Sequence, residues 1–154
     1  MGNIVTERNR VWQKTEHNAV QTKGAGAFST VLTLVCKPLA QGRYRIAWNM
    51  EARLQSGVDT LPKLRVEDVD AAQELAESTF HGATDNWDSR SGWDFRQYAE
   101  GATPTFIIQV RRVAGTGTNT VEVRRLKLSI EIMNDDRAEA EGNGGRNGRA
   151  RNRP

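Results

Sequence analysis

The sequence predicts an all-β fold: an antiparallel two-sheet β-sandwich, jelly-roll-like in its connections, with an extended N-terminal arm and a C-terminal Arg/Gly tail. Three observations carry this. Gly42–Leu54, GRYRIAWNMEARL, alternates apolar and polar side chains as a half-buried strand must. Further short apolar and β-branched runs follow, separated by Gly, Pro and Asn, with essentially no amphipathic helix between them. About five to seven strands with open edges invite aggregation, and a second packed sheet is the natural closure.

Taken in order, residues 1–24 form the arm, 25–133 the sandwich domain, and 134–154 an acidic and then Arg/Gly-rich tail. The arm is polar, with Ile4, Val5, Val11, Trp12 and Val20 scattered through it. Trp12 is costly to leave in water, so the arm is expected to lie on its own domain or on a neighbour. Lys23–Ala27, KGAGA, is a flexible joint. Phe28–Lys37 is apolar enough for a strand buried on both faces or nearly so. It is expected to pair with the next strand as a hairpin across the Pro38–Gly42 turn.

Gly42–Leu54 is the organising strand. Tyr44, Ile46, Trp48, Met50, Ala52 and Leu54 share one face, and Arg43, Arg45, Asn49, Glu51 and Arg53 the other. Burying its large apolar residues contributes on the order of 10 kcal/mol before entropy is subtracted. After the Gln55–Pro62 loop, Lys63–Val69 is a third, charged strand with Leu64 and Val66 inward. Asp70–Ser78, DAAQELAES, has the composition for one or two helical turns with Asp70 as cap, though the non-helical reading is favoured. Thr79–Arg96 is a long polar connection, with a short strand over Trp93–Ala99.

Thr103–Val113 points Phe106, Ile108 and Val110 at the core, and Ala114–Asn119, AGTGTN, is a hairpin turn. In Thr120–Met133 the alternation changes phase between Val121/Val123 and Leu126/Leu128/Ile130/Ile132. A β-bulge at Arg124–Arg125 produces that change. Gly142–Pro154 has too few apolar residues to bury a core.

The formal charge of +3 is unevenly placed. Gly142–Pro154 holds Arg146, Arg149, Arg151 and Arg153 and no acid, while the other 141 residues hold 18 basic and 19 acidic side chains, net −1. The body is therefore neutral and the tail basic. Cys36 is the only cysteine and is expected to be a buried hydrophobe. No signal peptide or membrane-length apolar run appears, so the chain reads as made and used in the cytosol, with no membrane partner. The start MGNIVT matches a myristoylation pattern, and the match is read as chance.

Catalytic chemistry finds little to work with. His17 and His81 lack convergent partners at metal-binding or dyad spacing. Asp85, Asp88 and Asp94 do not follow an EF-hand pattern and read as solvated loop acids. Gly115 and Gly117 sit between strands, with no helix to hold a phosphate. Trp87 and Trp93 suit a stacking platform for sugar or base, but packing under the loop or at a subunit contact is the favoured reading. The chain is expected to be no enzyme and to hold no cofactor or metal.

The hairpin FSTVLTLVCKPLAQGRYRIAWNMEARL, with its G-x-Y-R-I-x-W core, the Trp/Asp loop and the late hairpin TPTFIIQVRRVAGTGTNTVEVRRLKLSIEIM resemble the small β-sandwich (jelly-roll, TNF-like) structural proteins of tailed-bacteriophage virions. The resemblance covers roughly Ala25–Met133. It implies a homotrimer serving as a capsid decoration (cement) protein, head fibre or tail appendage, with major capsid or tail subunits as partners. Localisation would be the virion, after assembly in the host cytoplasm. Candidate partner-binding residues are Trp12, Trp87, Trp93, Arg146, Arg149, Arg151 and Arg153. The alternatives are a glycan-binding module using Trp87, Trp93, Asp85 and Asp88, and an RNA-binding protein using the tail alone.

Overall fold

A computed structural model of the chain describes residues 12–23, 27–55, 62–79, 86–112 and 120–135. The described residues form nine strands and no helix: β1 Trp12–His17, β2 Gln21–Lys23, β3 Ser29–Val35, β4 Gly42–Gln55, β5 Pro62–Asp68, β6 Gln73–Thr79, β7 Asp88–Tyr98, β8 Thr105–Arg112 and β9 Thr120–Asp135. One sheet has the order β1-β9-β4-β7, with β2 also on β9; the other has the order β3-β8-β5-β6. Every pairing is antiparallel. With β1 and β2 lying end to end along β9, this is the two-sheet, eight-position order of a jelly roll. The expected fold class holds.

The core follows from alternation. Tyr44, Ile46, Met50 and Ala52 of β4 face Leu64, Val66, Phe106, Ile108 and Val110 of the opposite sheet, all buried, with Trp48 among them. The phase change in β9 is a bulge as expected: Asn49 lies opposite Lys127 but Glu51 opposite Arg124. Arg125 takes up the extra residue at φ 50°, and Val121, Val123, Leu126, Leu128 and Ile130 all stay buried. The break between β1 and β2 falls at the same level, since His17 pairs with Leu126 and Gln21 with Val123.

Several local expectations are corrected. Residues 12–23 are not simply a polar arm, because β1 and β2 join the five-stranded sheet. An edge strand can be polar because it buries little. Its inward Gln13 is buried by giving its amide to the Lys37 backbone: Oε1 accepts from Lys37 N–H at 2.6 Å and Nε2 donates to Lys37 C=O at 3.0 Å.

Neither expected hairpin forms, since β3 and β4 lie in different sheets, as do β8 and β9. Cys36–Gln41 crosses the end of the sandwich instead, with Leu39 and Ala40 buried and Cys36 and Leu39 N–H bonded to Pro104 and Ala102 C=O. Nor is β3 buried on both faces: Thr33 and Val35 are exposed, because the outer side of its sheet meets solvent.

As the favoured reading has it, no helical turn forms over Asp70–Ser78. β6 pairs along β5, and tertiary pairing overrides a weak helical composition. Asp70 caps the Thr105 N–H rather than a helix. The expected long connection is a strand from Asp88 onward: β7 pairs without interruption from Ala52↔Asp88 to Gly42↔Tyr98.

Candidate interaction face

The outward residues of β4 are Arg43, Arg45, Ala47, Asn49, Glu51 and Arg53, since their neighbours fill the core. Register extends that face across the sheet. One row reads Trp12, Glu131, Arg45, Phe95; the next reads Lys14, Ser129, Ala47, Trp93. Small side chains hold the centre of the second row, and each row has a tryptophan at one edge, the two edges lying about 14 Å apart at three strand spacings. Trp93 is 62% exposed and Trp12 43%, with Met133 exposed nearby.

The polar residues of this face are largely engaged. Trp93 packs on Phe95 at 5.0 Å between centroids, and the Arg43 guanidinium lies 4.4 Å above Phe95. Arg45 pairs with Glu131 at 2.9 Å. Further along, the guanidinium groups of Arg53 and Arg124 lie 4.7 Å and 3.9 Å from the centre of the Trp87 ring. Arg53 pairs with Glu122, while Arg124 and Arg125 both bond Glu51, at 2.7 and 2.8 Å. These bonds, chiefly that from Arg124, hold the Glu51 carboxyl below the usual glutamate range.

A pocket of about 410 Å³ opens at the end of the sandwich, lined by Asp68, Asp70, Ala71, Tyr98, Ala102, Thr103 and Pro104. Its acids are spoken for. Buried Asp68 accepts from Tyr98 Oη at 2.9 Å and from Ala71 N–H at 3.2 Å, and Asp70 accepts from Thr105 N–H at 2.6 Å. Burial, reinforced by Asp68, raises the Tyr98 phenol far above its ordinary value. Burial, then Asp68 and Asp70, pushes the Cys36 thiol up to about 12. Neither group is poised as a nucleophile or base near neutral pH. The cluster ties the β5–β6 turn to the start of β8. Sequence reading missed it because the three partners come from separate strands and turns.

Of the candidate partner-binding residues, Trp12, Trp87 and Trp93 all come to the outer face of the five-stranded sheet. Trp87 and Trp93 are not side by side: Trp87 immediately precedes β7 and Trp93 lies six positions further on, roughly 20 Å in extended chain. Asp88 pairs with Arg90 and Asp94 with Arg96, each at 2.8 Å. His17 is half-buried in β1. His81, Asp85, Gly115, Gly117, Arg146, Arg149, Arg151 and Arg153 lie outside the described residues. Among the described residues no group of three or more His, Cys, Asp or Glu is placed to hold a metal ion, and no helix is long and apolar enough to cross a membrane.

No protein-family model matches the sequence, and no curated protein matches it. Solved structures do match in fold. T=1 particles derived from infectious bursal virus contain a chain similar over 79% of this one and 31% of its own length, at 7% identity and a TM-score of 0.54. A chain of the infectious bursal disease virus Gx strain is similar over 79% and 32%, at 6% identity and a TM-score of 0.51. Eiger TNF from S. frugiperda is similar over 82% and 95%, at 12% identity and a TM-score of 0.46. The chain spans about a third of the length of the two viral chains. At these identities the likeness is one of fold.

Proposed function

We propose that the chain is a virion structural protein, specifically a capsid decoration (cement) protein of a tailed bacteriophage. In this reading it is a homotrimer that binds major capsid subunits and stabilises the particle through its terminal segments. The observation that carries the reading is the outer face of the five-stranded sheet. Trp12, Trp93 and Met133 stand exposed there on a jelly-roll frame, around ion pairs that are internally satisfied. Such a face suits contact with another protein better than turnover of a small molecule, because exposed aromatics anchor interfaces. The viral particle chains of like fold add weight to the virion reading.

Arg146, Arg149, Arg151 and Arg153 supply bidentate donors for carboxylates on a neighbouring subunit. The test is occupancy on particles that lack the protein. The full chain is expected to saturate them, and deletion of Gly142–Pro154 to leave the domain folded but weaken attachment across a salt series. Equal occupancy by the truncated chain at every salt would overturn the role given to the tail. Failure of the full chain to bind any particle assembled with it would overturn the reading itself.

A further inference from the structure

We propose that β7 pairs with β7 of a second copy of this chain, antiparallel and about a two-fold axis at Gly92, so that two five-stranded sheets become one continuous sheet. This goes beyond the proposed function and does not depend on it.

Side chains bridge the two sheets at both open sides of the sandwich. On the β1/β3 side, side chains close the edge: Gln13 bonds both backbone groups of Lys37, and Gln21 Nε2 donates to Val31 C=O at 3.0 Å. On the other side, Arg90 donates to Thr79 C=O at 3.2 Å and Arg96 to Gln73 Oε1 at 2.6 Å, but the β7 backbone ends its sheet, and among the described residues no strand pairs beyond it. It is 11 residues long, holds register with β4 throughout, and contains no proline, lysine or bulge. A long regular edge is a template for another strand.

The charges of β7 select which strand. Reading DSRSGWDFRQY outward from Gly92, Arg90 and Asp94 stand two residues away on either side, Asp88 and Arg96 four. Antiparallel pairing about Gly92 therefore sets Asp88 opposite Arg96 and Arg90 opposite Asp94, each pair occurring twice. Opposite charges directly across a strand pair are favourable and like charges unfavourable. A slip of two residues one way puts Arg90 opposite Arg96; the other way, it puts Asp88 opposite Asp94. Charges that would close the edge to most strands thus admit one register of one partner.

The four residues already form two pairs along the strand, Asp88–Arg90 and Asp94–Arg96, so dimerisation would extend an alternating network rather than bury a lone charge. On the opposite face of β7, Ser91 would meet Trp93 of the second copy. The two Trp93 residues become diagonal neighbours, roughly 7–8 Å apart at Cα, within reach for aromatic rings. This gives a partner to the large aromatic that is 62% exposed in the single chain. The contact is isologous, each surface being its own complement.

The experiment is sedimentation of the full chain at rising micromolar concentration, with charge variants mixed in pairs. Wild type is expected as a dimer, or as a hexamer if a three-fold contact forms as well. Asp88→Arg and Arg96→Asp each place like charges across the two-fold, and each alone should weaken the two-fold contact at least about tenfold. Mixed one to one they should associate again, because the first variant's arginines then face the second's aspartates.

Hydrogen exchange on wild type gives a readout independent of variant folding: β7 amides directed away from β4 should gain protection as concentration rises. A wild type that stays monomer or trimer throughout overturns the proposal. So does an even-numbered assembly that neither single variant weakens, or a mixture that fails to re-associate when both variants are folded.

Discussion

The Trp48 indole lies against the Gly92 backbone so closely that a methyl group at Gly92 would stand 2.7 Å from Cζ2 and 2.8 Å from Cε2. The two residues are paired across β4 and β7, and the ring, 7% exposed, covers the space where a side chain would be. Glycine is needed there for room rather than for backbone conformation. Gly92→Ala should destabilise the fold by about 1–3 kcal/mol, as overpacking does. Urea denaturation with the near-ultraviolet signal of tryptophan checks this. An unchanged midpoint and spectrum would mean that the ring is not held against β7.

The glutamine at the opposite edge predicts a different failure. Gln13→Leu keeps bulk but leaves the Lys37 N–H and C=O without the partners they have now. The expected loss is about 1–3 kcal/mol, the cost of partly buried backbone groups left unsatisfied. The Lys37 amide should exchange markedly faster in the variant. Equal exchange rates would show that water replaces the amide at no cost.

Alternation is a local property, which is why β4, β5, β8 and the phase change in β9 were legible in the sequence. Which strand pairs with which is not local. Consecutive strands pair or cross to the other sheet according to how their connection packs. For β3 and β4 the deciding facts are the burial of Leu39 and Ala40 and the bonds of Leu39 to Ala102 and of Cys36 to Pro104. Of β7 only the Trp93–Ala99 part was legible as strand, because an edge strand can carry Asp88, Arg90, Asp94 and Arg96 and still be regular.

The candidate site divides in the same way. Trp12 and Trp93 stood out as aromatics in polar surroundings, but only the pairing of β1, β9, β4 and β7 puts them on one face. The Asp68–Tyr98 bond was invisible, since 30 residues separate its partners.

Cys36 should be inert while the chain is folded. With its thiol pushed up to about 12, it stays protonated through mildly alkaline pH, and it is 3% exposed. A disulfide reagent should fail to label native protein and should label it at once in denaturant. The sign for stability follows from the raised value. The contribution is intact below the thiol's unfolded pKa and is lost as pH rises from there toward about 12. Labelling of the native chain at the denatured rate would refute both statements.

The bulge in β9 should be the acid-sensitive part of the outer face. Arg125 sits at φ 50°, a conformation disfavoured for a residue with a side chain, and its guanidinium reaches Glu51 at 2.8 Å. Arg124 bonds the same carboxylate at 2.7 Å, and its guanidinium also lies 3.9 Å from the centre of the Trp87 ring. One carboxylate thus bridges two adjacent arginines, and its pKa is lowered, first by the Arg124 bond. A carboxyl with a lowered folded pKa contributes stability that is present above its unfolded value and is lost as pH falls through the folded one.

Glu51→Gln removes that contribution. The gap in urea midpoint between wild type and variant should therefore be constant above about pH 5 and close as the solution is acidified below about pH 4. Arg124→Ala should narrow the wild-type acid limb more than Arg125→Ala does, because the Arg125 side chain is 61% exposed and solvent screens its pair. A gap that persists unchanged into strong acid would mean that Glu51 acts by packing alone, and that the charge of the bulge plays no part in holding it.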